Sequence, residues 1–271
     1  MALVGMAGIS CSSSSDAPSA ATGEPAGATT TTSPPNYAAR VIREREVDAV
    51  YRQGLAHVGG GWIFSFNDGL FRTDTTLKQT SKLIPAIPAS WKARGFDHIG
   101  DIDVVDGIVY APLEQPKYEL GKQAMLMFDA ATFAYQGGVD VAQHEASFVT
   151  VDASTGIAYS MDRFGGNELV RYDIRDKWRP LPPLRMSTRV ERVQGADVYG
   201  GAVWLSTDDA TDAVYRVDVE TGNVDALGSI GHVDGEGEGI DATPLAGTDL
   251  WVLSIDAKGV PVRVIELRVA P

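Results

Sequence analysis

Cysteine is nearly absent: Cys11 stands alone in 271 residues. That excludes a disulfide framework and a thiolate zinc cluster, so a metal would have to be held by oxygen or imidazole. Positive charge is scarce as well, with 23 Lys and Arg against 36 Asp and Glu and a formal net charge of -13. Binding to a phosphate backbone needs clustered cations that release counterions, so nucleic acid is excluded as a partner class. No segment reaches the ~18 apolar residues that span a bilayer. Several enzyme signatures are missing too. There is no G-x-S-x-G elbow and no H-E-x-x-H, and "GEGEG" at 235–239 lacks the Lys and the following helix of a phosphate loop.

What the chain does contain, from residue 37 onward, is short alternating apolar runs bounded by Gly, Asp and Asn, the mark of sheets rather than helices. The runs repeat. "GGWIFSFND", "GIVYAPLE", "GIAYSMD", "GAVWLSTDD" and "TDLWVLSID" align on Phe64, Tyr110, Tyr159, Trp204 and Trp251, at separations of 46, 49, 45 and 47 residues. Each continues into a strand closing on an acidic turn ("LFRTD", "MLMFD", "LVRYD", "VYRVD", "VRVIE"). Each is preceded by another short strand ("QGLAHV", "GDIDVV", "SFVTVD", "QGADVY", "EGIDAT"). Units of four strands at this spacing are blades arranged radially. The expected fold is all-β: a five-bladed β-propeller of four-stranded blades, closed by an N-terminal strand. "ARVIREREVDAVY" at 39–51 reads as that closing strand, with an amphipathic helix as the competing reading. Residues 75–97, holding Pro85, Pro88 and Trp91, read as a long loop, or as the only room for a degenerate sixth blade. The repeated aromatics read as packing between sheets, and "DAATF", "DASTG" and "DVETG" read as turns in which Asp bonds nearby backbone.

The starts of the inner strands are where a site is expected, because those strands line the channel. "GDID", "GAD" and "GID" place Asp101, Asp103, Asp197 and Asp241 toward one axis. Crowded carboxylates raise one another's pKa unless a cation compensates, and Ca²⁺ meets that demand with oxygen ligands alone. These four are the expected metal ligands. Of the four histidines, His98, His144 and His232 fall just ahead of inner strands and His57 lies on the first; Glu145, Asp234, Glu236 and Glu238 stand nearby. Imidazoles and carboxylates ringing one mouth suit a metal or acid–base site, and suit a solvated acidic rim equally well. His98, His144, His232 and Glu238 are the expected ligand contacts, together with Gln53. "STDDATD" reads as an exposed turn of the fourth blade.

"YRQGLAHVGGGWIF", followed by "HIGDIDVVDGIVY", resembles the propeller-type glutaminyl cyclotransferases. That resemblance matches Gln53 to the Gln of their first inner strand and Asp101 to their catalytic Glu, and so implies an acyl-transfer enzyme with Asp101 as acid–base. Asp101 is one methylene shorter, and Glu114 stands near the family's substrate-facing aromatic. "IDVV" and "IDAT" are similar to the olfactomedin-type propellers, which implies calcium held in the channel by Asp. At the N-terminus, "MALVGMAGISC" followed by a Ser/Thr/Ala/Pro tract resembles the end of a bacterial lipoprotein signal. It implies residues 1–36 as signal remnant and tether, 37–271 as the propeller, and an extracytoplasmic protein, secreted or lipid-anchored through Cys11. A bland N-terminus with an incidental cysteine is the alternative. The expected function is binding of a small ligand or protein at the acidic mouth, with Ca²⁺ as structural ion, in a monomer; the rival is an enzyme, either a cyclotransferase-like acyl transfer or a metal-assisted hydrolase using the same Asp and His cluster.

Overall fold

The computed structural model describes residues 37–119, 121–163, 165–230, 235–245, 247–256 and 258–270. Cys11 and the rest of the expected tether lie outside them. Among the described residues no helix is long and apolar enough to cross a membrane.

The fold is a five-bladed β-propeller built from antiparallel sheets. A closing strand β1 (Ala38–Val47) comes first. Blade 1 is β2 (Gly54–Val58), β3 (Gly61–Phe66), β4 (Gly69–Asp74) and β5 (Gln79–Leu83). Blade 2 is β6 (His98–Ile99), β7 (Asp103–Val105), β8 (Ile108–Glu114), β9 (Gln123–Asp129) and β10 (Tyr135–Val141). Blade 3 is β11 (Thr150–Asp152), β12 (Ile157–Ser160), β13 (Gly165–Asp173) and β14 (Arg179–Glu191). Blade 4 is β15 (Val193–Tyr199), β16 (Ala202–Thr207), β17 (Ala213–Asp218) and β18 (Val224–Ser229). Blade 5 is β19 (Gly235–Asp241), β20 (Leu250–Asp256) and β21 (Val262–Ala270), completed by β1. Residues 75–97 supply no sixth blade. They carry β5, the outer strand of blade 1, and a single helical turn, α1 (Ala89–Lys92), which packs Trp91 into the core beside Phe96.

The hydrophobic core follows the repeat. It divides into five clusters, each filled from two neighbouring blades, so each seam is sealed on its own. Aromatics do much of this: Trp62 of blade 1 meets Trp251 of blade 5 at 4.8 Å, and Tyr110 of blade 2 meets Trp178 of blade 3 at 6.0 Å. Tyr110, Tyr159, Trp204 and Trp251 are register equivalents, facing Asp103, Thr150, Asp197 and Asp241 across the ladder. Phe64 is not. It faces Leu55, one step along, and one step on a pleated strand turns the side chain to the other face, where it stacks on Tyr51.

A second set of contacts joins the inner strands side chain to backbone. Asp103 Oδ2 accepts from Val151 N at 2.7 Å, and Thr150 Oγ1 from Val198 N at 2.8 Å. Asp197 Oδ2 accepts from Ala242 N at 2.7 Å, and Asp241 Oδ2 from His57 N at 2.6 Å. Each residue holds the next blade at the same height. In blade 1 that position is Ala56, which offers no acceptor, so four of the five seams are latched.

The ring is closed by β1, antiparallel to β21 from Ala38↔Ala270 to Val47↔Val262. The strand alternates because one face packs on the blade, while Arg40, Arg43, Glu44 and Glu46 keep its other positions wet. Glu266 on β21 is 1% exposed, and it takes both forks of Arg43 at 2.8 Å, an ion pair from Arg45 at 3.0 Å and the Thr248 hydroxyl at 3.1 Å. Glu266→Ala is expected to lower stability by about 3 kcal/mol in urea titration, since it strips the partner from the Arg45 side chain. Arg43→Ala, at a mostly solvated side chain, should cost about 1 kcal/mol or less.

Candidate functional site

The inner strands run from one face, here the top, to the other, the bottom. One carboxylate sits between. Asp101 is 1% exposed, and its oxygens accept from Leu55 N (3.2 Å) of blade 1, Ala196 N (3.0 Å) of blade 4 and Ile240 N (3.3 Å) of blade 5. Its backbone pairs with blade 3, through Asp101 N to Ser147 O at 2.8 Å and Val149 N to Asp101 O at 3.3 Å. One residue of blade 2 thus touches all the others. Room for it exists because three neighbouring blades carry glycine at this height. A Cβ on Gly54 would lie 2.5 Å from Asp101 Cα, and one on Gly195 would lie 2.7 Å from Asp101 Oδ2. Burial raises the Asp101 carboxyl well above its ordinary value, and the three N–H groups partly oppose that.

Below it, the bottom mouth opens into a cavity of ≈ 510 Å³ whose wall includes Asp103, Asp197, Asp241, His57 and Tyr199. The carboxyls push one another up. Burial first, then the Asp197 charge, lifts Asp103 to about 7; Asp197 is raised by burial and then by the Asp241 charge, and Asp241 by burial with the Asp103 charge adding repulsion. Above Asp101, the top mouth is a smaller cavity of ≈ 180 Å³ lined by Gln53, His98, Gly100, Glu114, Tyr118, Ser147, Gln194 and Glu238. Glu114, 3% exposed, accepts from Ala146 N through Oε1 at 2.5 Å, and burial pushes it to about 7. Glu238, on β19, is raised by burial and by Glu236. His98 is held neutral by burial.

The expected single cluster is therefore two. Asp103, Asp197 and Asp241 sit three residues down their strands from the top, roughly 10 Å at the rise of a strand, and so open at the other face. His57 goes with them. Gln53, His98 and Glu238 share the top mouth. His144 does not reach it: its Nδ1 lies 3.0 Å from Asp162 Oδ2, and its backbone N bonds the same carboxylate at 2.7 Å. His232 and Asp234 lie outside the described residues. Gln194, Ser147 and Tyr118 were not foreseen; the "Gln-Gly" of 194–195, a copy of that at 53–54, was the signal for the first, and nothing marked the other two.

Among the described residues no group of three or more His, Cys, Asp or Glu side chains is arranged to hold a metal. A calcium ion at Asp101 would also have to displace N–H donors from both carboxylate oxygens. At the bottom level the latches hold Asp103, Asp197 and Asp241 against separate blades.

Comparison with protein-family models and with curated proteins finds no match. Among solved structures, the chain is similar to the Myxococcus xanthus glutaminyl cyclase, with a TM-score of 0.64 and 14% identity over 86% of this chain and 97% of that one. It is also similar to a luciferin-regenerating enzyme, with a TM-score of 0.51 and 12% identity over 80% and 76%. At these identities the likeness is one of fold.

The buried acids make a pH prediction. A carboxyl whose folded pKa lies above its unfolded value binds protons more tightly when native, so its burden on stability is absent below the ordinary value of 3.8 and complete above the raised one. Turn aspartates such as Asp74, Asp129 and Asp218 are held below 3.8 by local hydrogen bonds and act only at lower pH. The melting temperature is expected to rise as pH falls from about 8 to about 6.5, the ordinary histidine value below which charging the partly buried His57 and His98 opposes the gain, and Asp103→Asn should flatten that slope. A melting temperature that falls steadily over this range contradicts the assignment.

Proposed function

We propose that this propeller is a small-ligand-binding protein working outside the cytoplasm, and that its site is the top mouth. The observation that carries this reading is Glu114. A carboxyl 3% exposed keeps one oxygen on Ala146 N and leaves the other without a partner among the described residues, on the wall of a cavity. Desolvating an acid this far is costly and is tolerated most readily where a ligand makes use of it. Around it stand hydrogen-bonding groups of both kinds: the amides of Gln53 and Gln194, the Ser147 hydroxyl and a neutral imidazole. That is the mixture by which a pocket fixes orientation.

An enzymatic reading is favoured by one feature, the position of Glu114 near 7, where a carboxyl both takes and returns a proton close to neutrality. By analogy with the structural neighbour named glutaminyl cyclase, the reaction would be ring closure of an amino-terminal glutamine. The α-amine attacks the side-chain amide carbon, a C–N bond forms, the C–NH₂ bond breaks and ammonia leaves. Glu114 would carry the proton from the attacking amine to the departing one. Asp101 is less suited to that task, because three N–H groups already compete for its oxygens and it is not on the cavity wall.

Two measurements separate these readings. In a titration with small-molecule fragments followed by amide NMR, shifts are expected at Gln53, Gly100, Ser147 and Gln194; shifts confined to other faces would remove the top mouth as the site. With a glutaminyl dipeptide, the binding reading expects no ammonia. The enzymatic reading expects release that falls ~10²- to 10⁴-fold in Glu114→Gln.

A further inference from the structure

Among the described residues seven carboxylates are buried: Asp101, Asp103, Glu114, Asp212, Glu238, Asp241 and Glu266. Five accept hydrogen bonds from backbone N–H groups or, for Glu266, from arginine and a hydroxyl. Asp212 accepts none, but lines neither mouth. Glu238 is the exception that faces a cavity. It is 6% exposed, its side chain forms part of the top-mouth wall, and among the described residues the hydrogen bond its carboxylate makes is to another acid rather than to a backbone N–H or a cation. The polar group that does reach it is the carboxyl of Glu236, which can share a proton with it but cannot neutralise it.

Among the described residues, the groups facing Glu238 leave that charge uncompensated. Glu236 on its own strand and Asp208 after β16 repel it. Among the described residues Arg52, before β2, is the cation that favours its charge, and its guanidinium lies against Gly259 in the turn between β20 and β21, off the cavity wall. Across the cavity stand Glu114 and a neutral His98, and no Lys or Arg lines the mouth. An unpaired carboxylate at this depth is stabilised either by a proton or by a cation brought in from solution.

We infer that the ligand of the top mouth carries an ammonium group seated on the carboxylate of Glu238, with the free oxygen of Glu114 and the amide oxygens of Gln53 and Gln194 as its further acceptors. This rests on the reading of the top mouth as the ligand site. An ammonium brings three donors and no acceptor, which suits a wall rich in oxygen atoms and poor in charge-assisted donors. A bare divalent ion suits it less, since it needs several oxygens gathered at one point, and no such group occurs among the described residues. The cavity of ≈ 180 Å³ holds about six waters' worth of volume, so the group it admits is a small amine or the amino end of something longer. Anions and ligands with a carboxylate beside the amine are disfavoured by the same two acids.

The test uses n-butylamine and n-butanol, equal in size and differing in charge, titrated into the full chain and into Glu238→Gln by amide NMR and calorimetry. The amine is expected to shift the amides of Gln53, Gly100 and Gln194 saturably and to bind at least about tenfold more weakly in Glu238→Gln. Affinity should rise with pH until the amine itself loses its proton, near ~10. Glu238→Asp, which keeps the charge, should restore part of the affinity if Glu238→Gln folds poorly. Equal binding of the alcohol overturns the ammonium assignment and leaves the mouth as a ligand site. Amine shifts confined to the bottom mouth around Asp103 and Asp197 overturn the placement. No binding of either compound overturns the inference, and the fragment titration then judges the mouth itself.

Discussion

The carboxylate of Asp101 is the point through which the ring is tied. A propeller brings several inner strands to one axis, where their N–H groups crowd a space too narrow for more than one side chain. Here three of those N–H groups converge on a single acid, and the other blades clear the space with Gly54, Gly195 and Gly239. The balance is between burying a carboxyl and leaving three backbone donors unsatisfied, and each unsatisfied donor costs roughly 1–3 kcal/mol. The acid wins its place by answering three such demands at once. Everything above and below it, the two mouths and their different chemistry, is set by that plug.

The mouths differ in how their acids are used. At the bottom, Asp103, Asp197 and Asp241 are engaged with the next blade's backbone, and their oxygens serve the ring before they serve any ligand. At the top, among the described residues, no backbone N–H bonds one oxygen of Glu114 or the carboxylate of Glu238, which meets only the Glu236 carboxyl. Similar side chains at similar depth therefore carry different meanings: the number of N–H groups already bonded distinguishes a fastening from an open acceptor.

Much of the architecture was legible in the sequence because the repeat writes the same turns five times, with Asp closing one hairpin and Gly opening the next. The closing strand was legible for the same reason, through its alternation of Val and Ile with charges. What escaped were matters of a single residue. Phe64 matches the other aromatics by spacing but sits one step off in the ladder, and β5 hid in a segment whose prolines suggested a loop. The site was half legible. Gln53, His98 and Glu238 share the top mouth, while Asp103, Asp197 and Asp241, expected beside them, line the bottom one, since a linear string does not show that three residues along a strand cross most of the channel. Asp162 took His144 away from the mouth, a pairing that depends on two loops 18 residues apart.

The strand that closes the ring has a particular history during synthesis. Arg43 and Glu266 are 223 residues apart, so at ~5–20 residues per second β1 waits on the order of 10–40 s on the ribosome before its partner exists. Throughout that interval it is a bare edge able to template pairing with another chain. Its run of alternating arginine and glutamate then acts as a guard, keeping the first-made strand soluble and unattached until the fifth blade arrives to receive it.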